Sequence, residues 1–148
     1  MIAPLLLGSF IIVVNMGIQT AAVVLMVRYV MSKTGKDGAK SGFVTDTKMI
    51  SVVLMVLFVG HLIQFAIWAG LFIYIGEFES FNTAFYHSIV NFSSLGYGDI
   101  VMGEKWRLLG ALEACNGVLM FGLSGGTILA VMVHLFSRNE SIIRLKST

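Results

Sequence analysis

Three long apolar segments constrain the fold of this chain more than any other feature of its sequence. They cover about residues 2–27, 49–75 and 106–136. Each exceeds the roughly 20 residues that a helix needs to cross the hydrocarbon core of a bilayer. Charged residues make up only 12% of the 148 residues, about half their share in an average soluble domain. The sequence therefore predicts an all-α integral membrane protein with three transmembrane helices.

A shorter apolar stretch lies between the second and third segments, at residues 81–92. It is too short to cross a bilayer and too apolar for an ordinary exposed loop. A segment that enters the membrane without crossing it is tolerated where it is buried in protein or lines a water-filled pore. We therefore predict a re-entrant helix over residues 80–92, with Ser80 as its N-cap.

The distribution of lysine and arginine predicts the orientation of the spans. The basic residues of the first connection are Arg28, Lys33, Lys36, Lys40 and Lys48, and those of the C-terminal end are Arg138, Arg144 and Lys146. The positive-inside rule places both groups in the cytoplasm, so the N-terminus and the second connection lie outside. We expect a multi-pass protein of the cell (inner or plasma) membrane. The first apolar run is longer than a signal-peptide core of about 7–15 residues, so we expect it to be retained.

A glycine-containing motif follows the predicted re-entrant helix and reads Ser-Ser-Leu-Gly-Tyr-Gly-Asp at residues 93–99. Backbone carbonyl groups aimed at one axis can replace the hydration shell of a cation. Aiming them requires unusual backbone angles, and Gly96 and Gly98 reach positive φ at little cost. We predict cation sites formed by the carbonyl groups of residues 94–97 and the Ser94 hydroxyl. The side chains of Leu95 and Tyr97 then point away from the axis, into the surrounding protein.

One copy of this motif supplies only one ligand to each layer of oxygen atoms. Four chains are needed to surround the ion, so we predict a homotetramer in the lipid bilayer with the pore on its symmetry axis. Neither a catalytic triad nor a phosphate-binding loop is present, and a single cysteine without a Cys/His cluster offers no metal signature. The net charge of +2 is too small and dispersed to indicate nucleic-acid binding. We expect no enzymatic activity and no cofactor besides the ions in the pore.

The stretch from Ser80 to Val131 resembles the two-transmembrane pore module of prokaryotic potassium channels. The resemblance rests on the motif, on the short helix before it, and on the Trp106–Ala114 run followed by Gly117 and Phe121-Gly122-Leu123. This resemblance implies passive potassium conduction through a selectivity filter of Ser94, Leu95, Gly96, Tyr97 and Gly98. Hydropathy and charge, together with this resemblance, divide the chain into an N-terminal transmembrane helix outside the resemblance (1–30), a cytoplasmic loop (31–47), a pore module (48–137) and a cytoplasmic tail (138–148). Within the pore module the resemblance places an outer helix (48–76), a pore helix (80–92), the filter (93–99) and an inner helix (105–137).

Two positions of the motif depart from the usual potassium filter. Ser94 stands in place of threonine and keeps the hydroxyl, while Leu95 stands in place of valine and carries a larger side chain. A less selective channel for monovalent cations therefore remains an alternative. A non-conducting accessory subunit with the same pore fold, and a translocating subunit that works with a separate partner, are two further alternatives.

Four residues around the motif are candidates for supporting the filter. In channels that the chain resembles, the aspartate matching Asp99 braces the filter from behind. His87, on the predicted pore helix, is positioned to donate a hydrogen bond to Asp99 or to the Tyr97 hydroxyl, although a merely packed histidine is the simpler interpretation. Tyr86 contributes to an aromatic layer around the filter, and Ser93 leads into it.

The inner helix contains four candidates for a hinge or gate. Gly117 is either a gating hinge or a packing site, because glycine weakens a helix by about 1 kcal/mol relative to alanine. The spacing of Gly122 and Gly126 is typical of helices that approach one another closely. His134, near the predicted cytoplasmic end, is either a proton-sensitive element of the gate or an interfacial histidine.

Polar side chains inside the predicted spans require partners, because hydrocarbon offers none. Asn15 and Gln19 share one face of the first helix, and His61 and Gln64 share one face of the second. We predict that the two helices pack together through hydrogen bonds between these pairs. Glu113 lies in the outer half of the third span. Its partner is expected to be the amide three residues further along or a group behind the filter.

Overall fold

The computed structural model describes residues 2–36 and 42–146, with side chains for residues 2–35 and 42–138. Its helices are α1 (Ile2–Lys36), α2 (Phe43–Tyr74), α3 (Phe81–Phe92) and α4 (Arg107–Lys146), and the described residues contain no strand. Helices α1, α2 and α4 are long and apolar enough to cross a membrane. The all-α membrane fold predicted from the sequence is therefore confirmed.

The helix ends differ from the boundaries read from hydropathy. Helix α1 continues past residue 30 to Lys36, α2 begins at Phe43, and α4 continues past residue 137 to Lys146. Hydropathy marks where a helix leaves the hydrocarbon, and lysine and arginine are good helix formers, so a helix can continue beyond that point. Lys40, in the predicted cytoplasmic loop, lies outside the described residues.

The short helix α3 matches the predicted re-entrant segment closely. Ser80 precedes it in an extended conformation (φ −116°, ψ 132°) but makes no side-chain capping hydrogen bond. The C-terminal residue of α3, Phe92, is fully buried. Its ring lies 5.0 Å from the ring of Phe65 on α2 and 5.7 Å from that of Phe121 on α4. These edge-to-face contacts, a favourable aromatic geometry, fix the end of α3 between the two spans.

Helix α1 packs against both α2 and α4. The Gln64 Nε2 group donates a 2.7 Å hydrogen bond to Gln19 Oε1, which confirms the predicted link between α1 and α2. Gln19 Nε2 donates in turn to the Ser124 hydroxyl of α4 at 2.6 Å, and His61 Nε2 lies 3.1 Å from the same hydroxyl. Asn15 is fully buried, yet it forms no hydrogen bond with the described residues, contrary to expectation. The additional helix is thus attached to the inner helix as well as to the outer one.

Candidate functional site

The 93–98 segment turns back on the last turn of α3 and is tied to it by backbone hydrogen bonds. The Val90 carbonyl accepts hydrogen bonds from the backbone N–H groups of Leu95 (3.0 Å) and Gly96 (3.4 Å). The N–H of Ser94 donates to the Asn91 carbonyl at 2.9 Å. The position of the segment therefore depends directly on the position of the α3 C-terminus.

Positive φ angles occur at every second residue of this segment. They are 58° at Ser94, 60° at Gly96 and 74° at Gly98, and all described peptide bonds are trans. The N–H groups of Leu95 and Gly96 both point to the Val90 carbonyl. The carbonyl group of a trans peptide opposes its N–H group, so the carbonyl groups of Ser94 and Leu95 both point away from Val90. The start of the segment therefore presents two successive carbonyl oxygen atoms to the same side.

Ser94 is the member of this series that the sequence analysis missed. A non-glycine residue at positive φ is uncommon, and only the two glycines were expected to adopt it. The two glycines are two residues apart, so the same spacing counted back from Gly96 leads to Ser94. Such backbone strain persists only where the surrounding structure holds it, and it is concentrated at functional sites.

The segment has little cover from its own chain. Leu95 is 55% exposed and Tyr97 is 66% exposed, so neither is buried in the chain that carries it. A Cβ atom added at Gly96 or Gly98 would meet no atom within 4 Å. Beside Ser94 lies an open apolar cavity of about 480 Å³, lined by α4 residues that include Ala114 and Val118. Both faces of the segment are therefore free to meet a further molecule or ion.

Asp99 is held by Tyr86 and not by His87. The Tyr86 hydroxyl donates a 2.7 Å hydrogen bond to Asp99 Oδ2. The hydrogen bond to Asp99 stabilises the protonated phenol, so the pKa of Tyr86 lies above its ordinary value. His87 instead places Nδ1 at 3.1 Å from the Ile100 carbonyl, which can only accept, so Nδ1 carries the proton. His87 therefore does not form the hydrogen bond to Asp99 or Tyr97 that was one alternative, and it fits the simpler interpretation of a packed histidine.

The environment of His87 favours its neutral form. Burial lowers the pKa of the imidazole below its ordinary value, although the Ile100 carbonyl and two nearby carboxylates, Glu77 and Asp99, act in the opposite direction. The ring packs edge-on against Phe72 at 5.6 Å and lies 5.0 Å from Phe78. His87 therefore packs the outer end of α3 against α2 and anchors the backbone that follows Asp99.

Glu113 connects the inner helix to α3 behind the carbonyl segment. Its carboxyl group is fully buried. It accepts hydrogen bonds from the Ser88 hydroxyl at 2.5 Å and from Asn91 Nδ2 at 2.9 Å. Asn91 Nδ2 also lies 2.8 Å from the Gly110 carbonyl of α4. The partners of Glu113 are thus residues of α3, and Asn116, the other candidate, is not one of them.

Gly117 is a packing site between α4 and the end of α3. A Cβ atom there would lie 1.8 Å from the Phe92 carbonyl oxygen, closer than any real contact. By contrast, Gly122 and Gly126 have nothing within 4 Å of an added Cβ, so the close helix approach predicted for them does not occur within the described chain. His134 Nε2 lies 3.3 Å from the Thr34 hydroxyl and links α4 to α1.

The described residues contain no cluster of three or more His, Cys, Asp or Glu side chains that suits a metal ion. The cation sites predicted at residues 94–97 use backbone carbonyl groups and the Ser94 hydroxyl instead, and they stay a prediction. Together, a re-entrant helix between two spans and a carbonyl-bearing segment at its C-terminal end define a pore-type membrane protein.

Comparison with known families agrees with this class. The family model described as "Ion channel" matches residues 51–134, which is more than half of the chain and covers α3, the segment after it and most of α2 and α4. The chain belongs to this ion channel family. Comparison with curated proteins and with solved structures finds no match.

Proposed function

We propose that four copies of this chain form a channel that conducts potassium passively through the carbonyl groups of residues 94–97. The observation that carries the proposal is the positive φ at every second residue, Ser94, Gly96 and Gly98, a backbone periodicity that suits a row of carbonyl oxygen atoms. Such a row replaces the hydration shell of a dehydrated cation only when several rows face a common axis. A homotetramer supplies four of them.

The open faces of the single chain support assembly. Leu95 and Tyr97 are large and exposed beside the carbonyl row, and neighbouring subunits would cover them. The C-terminal end of α3 lies directly before the row. Because the C-terminus of a helix carries partial negative charge, four such ends around an axis favour a cation over an anion.

Potassium is the favoured ion because the segment retains the glycine, tyrosine and hydroxyl-bearing positions of the potassium filter. Ser94 and Leu95 favour one alternative, a weakly selective channel for monovalent cations. Serine lacks the methyl group that stiffens threonine, and leucine demands more space behind the carbonyl row. Both changes loosen the inner end of the filter while leaving its oxygen atoms in place.

The proposed setting is the cell membrane, with the N-terminus outside and the C-terminus in the cytoplasm. Lysine and arginine predominate at the α1–α2 connection and at the C-terminal end, and such residues remain on the cytoplasmic side. The carbonyl segment then faces the outer half of the bilayer.

The test is ion flux through the purified chain in proteoliposomes. We expect rubidium uptake driven by a potassium gradient, and reversal potentials that favour potassium over sodium. The negative control is Gly96→Ala, because positive φ costs a non-glycine residue about 1–2 kcal/mol in each chain. Gly70→Ala is the matched variant that should conduct, since Gly70 is exposed and an added Cβ meets nothing. An intact tetramer without flux would support the accessory role instead, and a monomer or dimer would refute the assembly.

Removing the Tyr86 hydroxyl is expected to shorten the conducting state. A Tyr86→Phe variant keeps the ring but loses the hydrogen bond to Asp99, so the backbone after Gly98 is less restrained. In planar-bilayer recordings at constant voltage, we expect the current of Tyr86→Phe to decay faster than that of the wild type. Its ion selectivity should change little. Tyr74→Phe is the matched control, because Tyr74 is an exposed tyrosine at the end of α2. Equal decay in wild type and Tyr86→Phe would contradict a bracing role.

A further inference from the structure

A cavity lies where α1, the start of α2 and α4 converge, at the opposite end of the spans from the carbonyl segment. Its volume is about 560 Å³, within the roughly 300–1,000 Å³ typical of ligand sites. Lys33 of α1, Lys48 of α2 and Arg138 of α4 contribute to its lining. None of the described residues that line it is acidic. Three helices thus bring three positive charges to one concave site.

Hydrogen-bond donors accompany these charges. The hydroxyl-bearing residues Thr45, Thr47 and Ser51 also line the cavity and belong to the first three turns of α2. The N-terminal turn of a helix carries unpaired N–H groups and partial positive charge, so it adds to the attraction for an anion. Cations, hydroxyl groups and a helix N-terminus form a donor set that suits a phosphate group.

One side of the cavity is apolar and leads toward the hydrocarbon. Met49 and Val52 contribute to its lining. Val52 is partly exposed and continues along α2 into the exposed side chains of Met55 and Val59, which lie on the same helix face by their spacing. The site therefore offers positive charge at the membrane surface and an apolar track below it.

We propose that this cavity binds the phosphate headgroup of an anionic phospholipid from the leaflet that surrounds the α1–α2 connection. Lys33, Lys48 and Arg138 neutralise the phosphate, the α2 hydroxyl groups orient it, and the acyl chains lie along Val52, Met55 and Val59. Basic pockets between transmembrane helices are suited to anionic headgroups. The apolar track selects a lipid over a free phosphate ester, because a soluble ligand gains nothing from it.

The test is lipid binding by the purified full chain in detergent, measured by native mass spectrometry and by thermal unfolding. Phosphatidylglycerol should bind more tightly and raise the unfolding temperature more than phosphatidylcholine with the same acyl chains. Each cation removed should weaken phosphatidylglycerol binding about fivefold, as tested with Lys33→Gln, Lys48→Gln and Arg138→Gln. Lys33 is exposed near the end of α1, so its variant remains informative if the other two fail to fold.

Two matched controls separate this site from general surface charge. Arg28→Gln removes an exposed cation from the same end of α1 but from outside the lining, and Lys105→Gln removes one from the opposite end of the spans. Both should bind phosphatidylglycerol as wild type does. An equal loss in Arg28→Gln, or equal binding of the two lipids, overturns the proposal. Glycerol phosphate or inorganic phosphate that binds as tightly as phosphatidylglycerol would show a soluble anion site and overturn the assignment to lipid.

Discussion

A Gly117→Ala variant is expected to lose rubidium uptake and to unfold at a lower temperature than the wild type. The added methyl group would lie 1.8 Å from the Phe92 carbonyl oxygen. That oxygen belongs to the backbone at the end of α3, so it moves only if α3 moves. Overpacking of this kind costs about 1–3 kcal/mol in a packed interior. The displacement reaches the carbonyl segment, because the Val90 carbonyl anchors the N–H groups of Leu95 and Gly96.

The matched control is Gly122→Ala on the same helix, where an added Cβ meets nothing within 4 Å. Both variants gain the same helix propensity, about 1 kcal/mol, so a difference between them reports the contact with Phe92. We expect Gly122→Ala to conduct and to unfold at or above the wild-type temperature. Loss of conduction in Gly117→Ala with an unchanged unfolding temperature would favour the hinge interpretation. Normal conduction in that variant would contradict both roles.

The sequence was sufficient for the spans and for α3 because bilayer thickness sets the length of an apolar helix. It was insufficient for the helix ends. The turns of α2 before Met49 contain polar residues, yet α2 begins at Phe43. Hydropathy indicates which residues lie in the hydrocarbon. Where a helix ends outside the hydrocarbon depends instead on local helix propensity and on packing against neighbouring elements.

The site was predicted in part, for reasons that particular residues make clear. Tyr86 and His87 are consecutive on α3, so their side chains point about 100° apart. Only the rotation of α3 about its axis decides which one meets Asp99, and the sequence does not specify that rotation. The link from Ser124 to α1 was not predicted, because a serine in an apolar helix ordinarily bonds to its own backbone. Ser124 does so here with the Met120 carbonyl, but it also accepts a hydrogen bond from Gln19.

The second large effect is expected at Glu113. A Glu113→Ala variant leaves the Ser88 hydroxyl without its acceptor in a buried site and removes one of the two acceptors of the Asn91 amide. An unpaired buried donor costs about 1–3 kcal/mol, so we expect a clear fall in the unfolding temperature. We also expect reversal potentials to shift toward sodium, because Ser88 and Asn91 flank Val90, whose carbonyl anchors the carbonyl segment. Val133→Ala, an exposed position further along the same helix and away from the carbonyl segment, should change neither quantity.

A double-mutant cycle distinguishes a specific link from general destabilisation. Glu113→Gln keeps one acceptor for Ser88 but turns an amide toward Asn91, so its effects should be smaller than those of Glu113→Ala. Ser88→Ala removes the donor of the 2.5 Å hydrogen bond to Glu113. If Glu113 acts through Ser88, the double variant Glu113→Ala with Ser88→Ala is less impaired than the sum of the single variants. Strictly additive losses, or a reversal potential that stays at the wild-type value in Glu113→Ala, would mean that the inner helix does not position the filter through this carboxylate.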